Sequence, residues 1–71
     1  MEENIINAKC IIDHKVLRGI IDLGDIVKIK YNSKIPILYK IETKSGIVLN
    51  QQELFSLVGF MSLSDIFQKE D

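Results

Sequence analysis

A chain of 71 residues, 46% apolar and 27% charged with a formal net charge of -1, has the composition of one small globular domain and not of a disordered segment. At this length only about 60% of the unfolded surface is buried, so the core is small. The near-neutral balance provides none of the global field of a strongly basic nucleic-acid binder, and the single cysteine rules out an internal disulfide and points to a reducing compartment.

No apolar run approaches the ~18 residues that a bilayer span requires, so no membrane segment is expected. The start, Met1-Glu2-Glu3-Asn4, is acidic where a secretory signal is basic, and a cytoplasmic location is expected. Heavy use of Ile, Lys and Asn, whose codons are AT-rich, points to a low-GC bacterium, its plasmid or its phage.

Ile6, Ala8, Cys10 and Ile12 share one parity while Asn7 and Lys9 share the other, which predicts a first strand with Cys10 inward. Cys10 and His14 form too sparse a set for zinc, which takes about four ligands at paired spacing, and a thiol in an apolar run belongs to a core. His14 is expected on a surface loop. From Asp13 to Asp25 two glycines interrupt scattered apolar residues, which predicts a long loop pinned to the core by Val16, Leu17, Ile20, Ile21 and Leu23; a short helical turn is the alternative. Gly24-Asp25 reads as a turn entering the next strand.

A three-stranded antiparallel meander follows. Val27, Ile29 and Tyr31 alternate with Lys28 and Lys30. Ile37, Tyr39, Ile41 and Thr43 then alternate with Leu38, Lys40 and Glu42, and Ile47 and Leu49 continue the pattern. Asn32 to Pro36 reads as a loop, since it opens with turn formers and its proline lacks an N–H. Lys44-Ser45-Gly46 reads as a hairpin connection whose glycine takes a positive φ.

Beyond the meander, two readings stay open. Asn50 with Glu53 is a capping box, and Leu54, Phe55, Leu57, Val58 and Met61 fit one helical face, which predicts a helix over about 51–58. Alternatively, 51–55 is a single turn and Leu57 to Met61 a fifth strand. Ser62 and Asp65 then predict a short C-terminal helix over 62–71, with Leu63, Ile66 and Phe67 docked on the domain or offered to a partner, and residues 68–71 frayed.

The order of strand, long loop, meander, helical turn and short strand resembles the SH3-like small β-barrel. The run AKCII, then LGDIVKI, then LYKIETKSGIVLNQQELFSLV, is similar to short SH3-like proteins of phages and prophages of low-GC bacteria. In that group a Cys-bearing first strand precedes a Leu-x-x-Gly-type entry to the second, here Ile21 to Gly24, and the meander ends in a polar turn with an apolar plug, here Glu53 to Phe55. The resemblance implies a mainly β fold, a five-stranded SH3-like barrel over 1–61 with a short C-terminal helix over 62–71, and it favours the fifth strand at 57–61 because closure removes open edges. The alternative fold is α+β, a four-stranded sheet with a helix at about 51–58.

The resemblance implies a binding module, and the sequence presents no nucleophile–base set, paired carboxylates or metal spacing, so no catalytic residue, metal or cofactor is expected. The first reading is a protein-interaction module, a phage or prophage adaptor or a regulator of a host protein, with Arg18, Tyr31, Ile35, Tyr39, Leu63, Ile66 and Phe67 as contact residues. Both tyrosines also fall on the inward parity and suit the core. The second reading is nucleic-acid binding through an outward face of Lys28, Lys30 and Lys40, with Lys9 beside them, although Glu42 shares that face and no exposed aromatic platform goes with it. Self-association through edge strands is a third.

Overall fold

The computed structural model describes residues 3–70, and within that span the side chains of residues 36 and 37 are not described. The fold is mainly β. Strands β1 (Glu3–Cys10), β2 (Ile26–Asn32), β3 (Ile35–Glu42), β4 (Val48–Asn50) and β5 (Phe67–Glu70) form one antiparallel sheet in the order β4-β3-β2-β1-β5, with helices α1 (Gln51–Val58) and α2 (Leu63–Ile66) between β4 and β5.

The expected parity builds the core. The pairings Ile6↔Ile29, Ile29↔Ile41 and Ile41↔Leu49 run a continuous apolar row across four strands, and Ala8↔Val27 makes the row beside it. Ala8, Val27, Ile29, Ile41 and Leu49 are all buried, and Cys10 is fully so, its thiol donating to the Ile12 carbonyl at 3.2 Å. Ile37, expected inward, lies outside the described side chains.

The loop after β1 contains the alternative element, a helical turn. Leu17 N–H donates to His14 C=O (2.9 Å) and Ile21 N–H to Leu17 C=O (2.8 Å). That spacing puts Leu17 and Ile21 on one side, and both are buried, whereas Val16 and Leu23 face away and are exposed, so the loop is anchored by fewer residues than the sequence suggested. Gly24 takes a φ of 90° where the chain enters β2, and its N–H donates to Cys10 C=O at 2.8 Å.

Between β2 and β3 the expected loop to Pro36 is shorter than predicted. Asn32 Oδ1 accepts from Lys34 N–H at 2.8 Å, closing a tight turn, and Ile35 already pairs with Asn32, with a register shift between Tyr31 and Asn32. The β3–β4 hairpin forms as expected: Gly46 has a φ of 88°, and Thr43 N–H donates to Ile47 C=O at 2.8 Å.

Beyond β4 the helix reading of 51–58 holds, and the fifth-strand and C-terminal-helix expectations are corrected. Residues 51–58 are a helix, so the fifth strand is not at 57–61. Asn50 Oδ1 accepts from Glu53 N–H (2.8 Å) and Glu53 Oε1 from Asn50 N–H (3.1 Å), which satisfies two helix-end donors locally. The expected helix over 62–71 is a single turn at Leu63–Ile66, and the stretch expected to fray forms β5 as far as Glu70; Asp71 lies outside the described residues. The cause is tertiary. The second edge of β1 presents main-chain groups that need partners. Ile11 N–H donates to Ile66 C=O at 2.8 Å, and Phe67 then pairs with Cys10. Leaving the helix at Phe67 also lets two adjacent side chains, Ile66 and Phe67, both enter the core.

A candidate protein-binding cleft

Helix α1 ends at Gly59, whose φ of 68° and ψ of -131° turn the chain sharply, with its N–H donating to Phe55 C=O at 2.7 Å. Such a backbone suits glycine above other residues. The turn carries Phe60 past the end of the helix, and Met61 and Leu63 return the chain towards the sheet. A cleft of about 520 Å³ results. Leu54, Phe55 and Val58 of α1 form one wall, Met61 and Leu63 the other, and Tyr39 of β3 reaches its edge.

Phe60 stands at the rim with 95% of its surface exposed, and Phe55 is half exposed beside it. Their rings meet edge to face, with centroids 5.2 Å apart and planes at 89°, a favoured aromatic geometry. Among the described residues, no charged side chain lines the cleft. Tyr39 is half-buried, and burial raises its phenol above the ordinary value of 10.0. A smaller groove of about 270 Å³ adjoins the cleft through Tyr39 and Gln51, with Leu38, Lys40, Asn50 and Gln52 around it.

Of the contact residues expected from the sequence, Tyr39 and Leu63 come together here. Tyr31 is half-buried directly opposite Tyr39 on β2. Ile66 and Phe67 are core residues, 0% and 5% exposed, so they are docked on their own chain and are closed to a partner. Ile35 is exposed at the β2–β3 turn, and Arg18 is in the long loop; neither lines the two grooves. Arg18 is held by Asp13, Nε to Oδ1 at 2.9 Å and Nη2 to Oδ2 at 3.0 Å. That hydrogen bond, with the guanidinium charge, lowers the Asp13 carboxyl and raises Arg18.

The lysines do share the outer face of the sheet. Lys30 lies directly opposite Lys40, Lys28 lies between Asn7 and Glu42, and Lys9 pairs across with Ile26. Lys30 Nζ is held by Glu42 Oε1 at 3.1 Å, which neutralises part of the patch. His14 accepts from Val16 N–H through Nδ1 at 3.2 Å in the loop.

Phe55, Phe60 and Met61 line the cleft although alternation and spacing in the sequence do not single them out as contact residues. The available signal was Gly59, a glycine directly after an eight-residue stretch with a capping box at its start, which ends the helix and places the following Phe60 outside it.

Comparison with protein-family models, with curated proteins and with solved structures finds no match for this chain.

Proposed function

We propose that this chain is a small non-catalytic protein-interaction module, an SH3-like barrel of phage or prophage origin that serves as an adaptor or regulator of a host protein through the cleft at the end of α1. One observation carries the reading: Phe60, 95% exposed, beside an uncharged apolar cleft of about 520 Å³. A large aromatic held in water next to an unfilled apolar wall is the arrangement of an interface anchor and its pocket. The order of elements, with a meander, a helical segment and a last strand returning to β1, matches the order of that barrel type, while the sheet of the described residues is open between β4 and β5. The sole cysteine is sealed in the core, and the sole histidine is engaged with its own loop, which favours binding over chemistry.

The test is capture from a low-GC bacterial lysate by tagged wild-type protein and by Phe60→Ser, each with and without nuclease. A stoichiometric, nuclease-resistant protein retained by the wild type and lost by Phe60→Ser supports the reading. Nuclease-sensitive, salt-labile material, lost when Lys28, Lys30 and Lys40 become Glu and kept in Phe60→Ser, overturns it in favour of nucleic-acid binding.

A further inference from the structure

We infer that the occupant of the cleft in the isolated protein is a second copy of this chain, docked about a two-fold axis so that Phe60 of each copy enters the cleft of the other. The inference rests on the cleft being a protein-docking surface and names what fills it.

Two features point to a second copy, and a third sets how tightly it is held. The first is that the projecting group and the recess lie in one patch. Phe60 is 95% exposed at the rim of a cleft walled by Leu54, Val58 and Met61, so a patch facing its own copy presents a ring to a recess twice. Two-fold interfaces require this kind of self-complementarity.

The second feature is charge. Near a two-fold axis each side chain meets its own copy, so a charged patch repels itself. Among the described residues, none of those lining the cleft is charged. The outer face of the sheet fails the same criterion, because Lys28, Lys30 and Lys40 would confront their own copies.

The third is area. Two buried aromatic rings with the walls that receive them, and the half-exposed Phe55 pair, remove roughly 1,000 Å² from water, below the about 1,200 Å² at which stable specific interfaces begin and within the range of weak, transient ones. The pair is therefore a reversible dimer that dissociates on dilution, which leaves the cleft open to a competing protein partner.

Sedimentation equilibrium of the full chain over a wide concentration range tests this, alongside Phe60→Ser and with circular dichroism to verify that the variant is folded. The wild type should show a reversible monomer–dimer equilibrium that persists at high salt, since apolar contacts are not screened. Phe60→Ser should weaken it by at least about 30-fold, as expected for loss of an interface anchor. On raising the concentration of the wild type, backbone NMR shifts should concentrate in residues 54–64. A wild type that stays monomeric up to ~1 mM, or a dimer unchanged by Phe60→Ser, overturns the inference. If the monomeric wild type still captures a lysate protein that Phe60→Ser does not, the inference fails and the interaction-module reading survives. If both capture it equally, both fail.

Discussion

Ile66→Ala measures whether the last segment is part of the domain or an appendage to it. Ile66 is fully buried, in the turn before β5, and its carbonyl accepts from Ile11 N–H at 2.8 Å. The substitution removes three carbon groups, worth about 2.4 kcal/mol in transfer free energy at ~0.8 kcal/mol each, and the cavity left behind brings the cost into the range of about 2–5 kcal/mol. A domain of this length has a total stability of about 4–10 kcal/mol, so the loss is a large share of the whole. With a urea slope near ~1 kcal/mol/M for so small a protein, the midpoint should fall by about 2 M or more. Urea unfolding followed by far-UV circular dichroism reads it, with Leu23→Ala in the long loop, 60% exposed, as the control, expected to change stability by less than about 0.5 kcal/mol. A midpoint for Ile66→Ala within error of the wild type would falsify the placement of residues 66–70 in the core sheet.

Other outcomes follow from local features. Asp25 accepts from Asp22 N–H at 3.0 Å and from Lys44 Nζ at 3.1 Å, tying the long loop to the β3–β4 hairpin. Its carboxyl is lowered first by that backbone hydrogen bond and then by Lys44, and Asp13 is lowered by Arg18. Both contributions are complete above the unfolded carboxylate value of about 3.9 and are lost as pH falls through the lower folded values. Urea midpoints measured from pH 6 downward should therefore hold steady and then drop below about pH 4, and Asp25→Asn should flatten the drop; an unchanged profile in that variant refutes the latch. Tyr39 is raised by burial, so its contribution is lost as pH climbs past 10.0 towards the folded value, and Tyr39→Phe should reduce the alkaline decline. Gly59→Ala meets no neighbouring atom within 4 Å, but its φ of 68° is strained for any other residue, so a cost of about 1–3 kcal/mol is expected from backbone conformation alone. Thiol labelling of Cys10, fully buried, should proceed only through opening of the domain and accelerate in Ile66→Ala; rapid labelling of the native wild type contradicts its burial.

The sequence by itself determined the elements whose signals are local. Alternation over Val27, Ile29 and Tyr31 and over Tyr39 and Ile41 assigned their inward faces because side chains in a strand alternate strictly, and the structure buries Val27, Ile29 and Ile41 in one row. Gly46 marked the hairpin through its positive φ, and Asn50 with Glu53 marked the start of α1, since a capping box is satisfied within four residues. Only the tertiary structure decided the rest. Leu57 to Met61 suits either a helical face or a short strand, and Ser62 to Phe67 starts a helix on local evidence. The free edge of β1 resolved both, because its main-chain groups recruit Ile66 and β5 and so end α2 after one turn. The cleft arises the same way. Gly59 marks locally that Phe60 lies outside α1, but only the tertiary structure leaves that ring in water while the pairing of β5 with β1 draws Phe67 into the core.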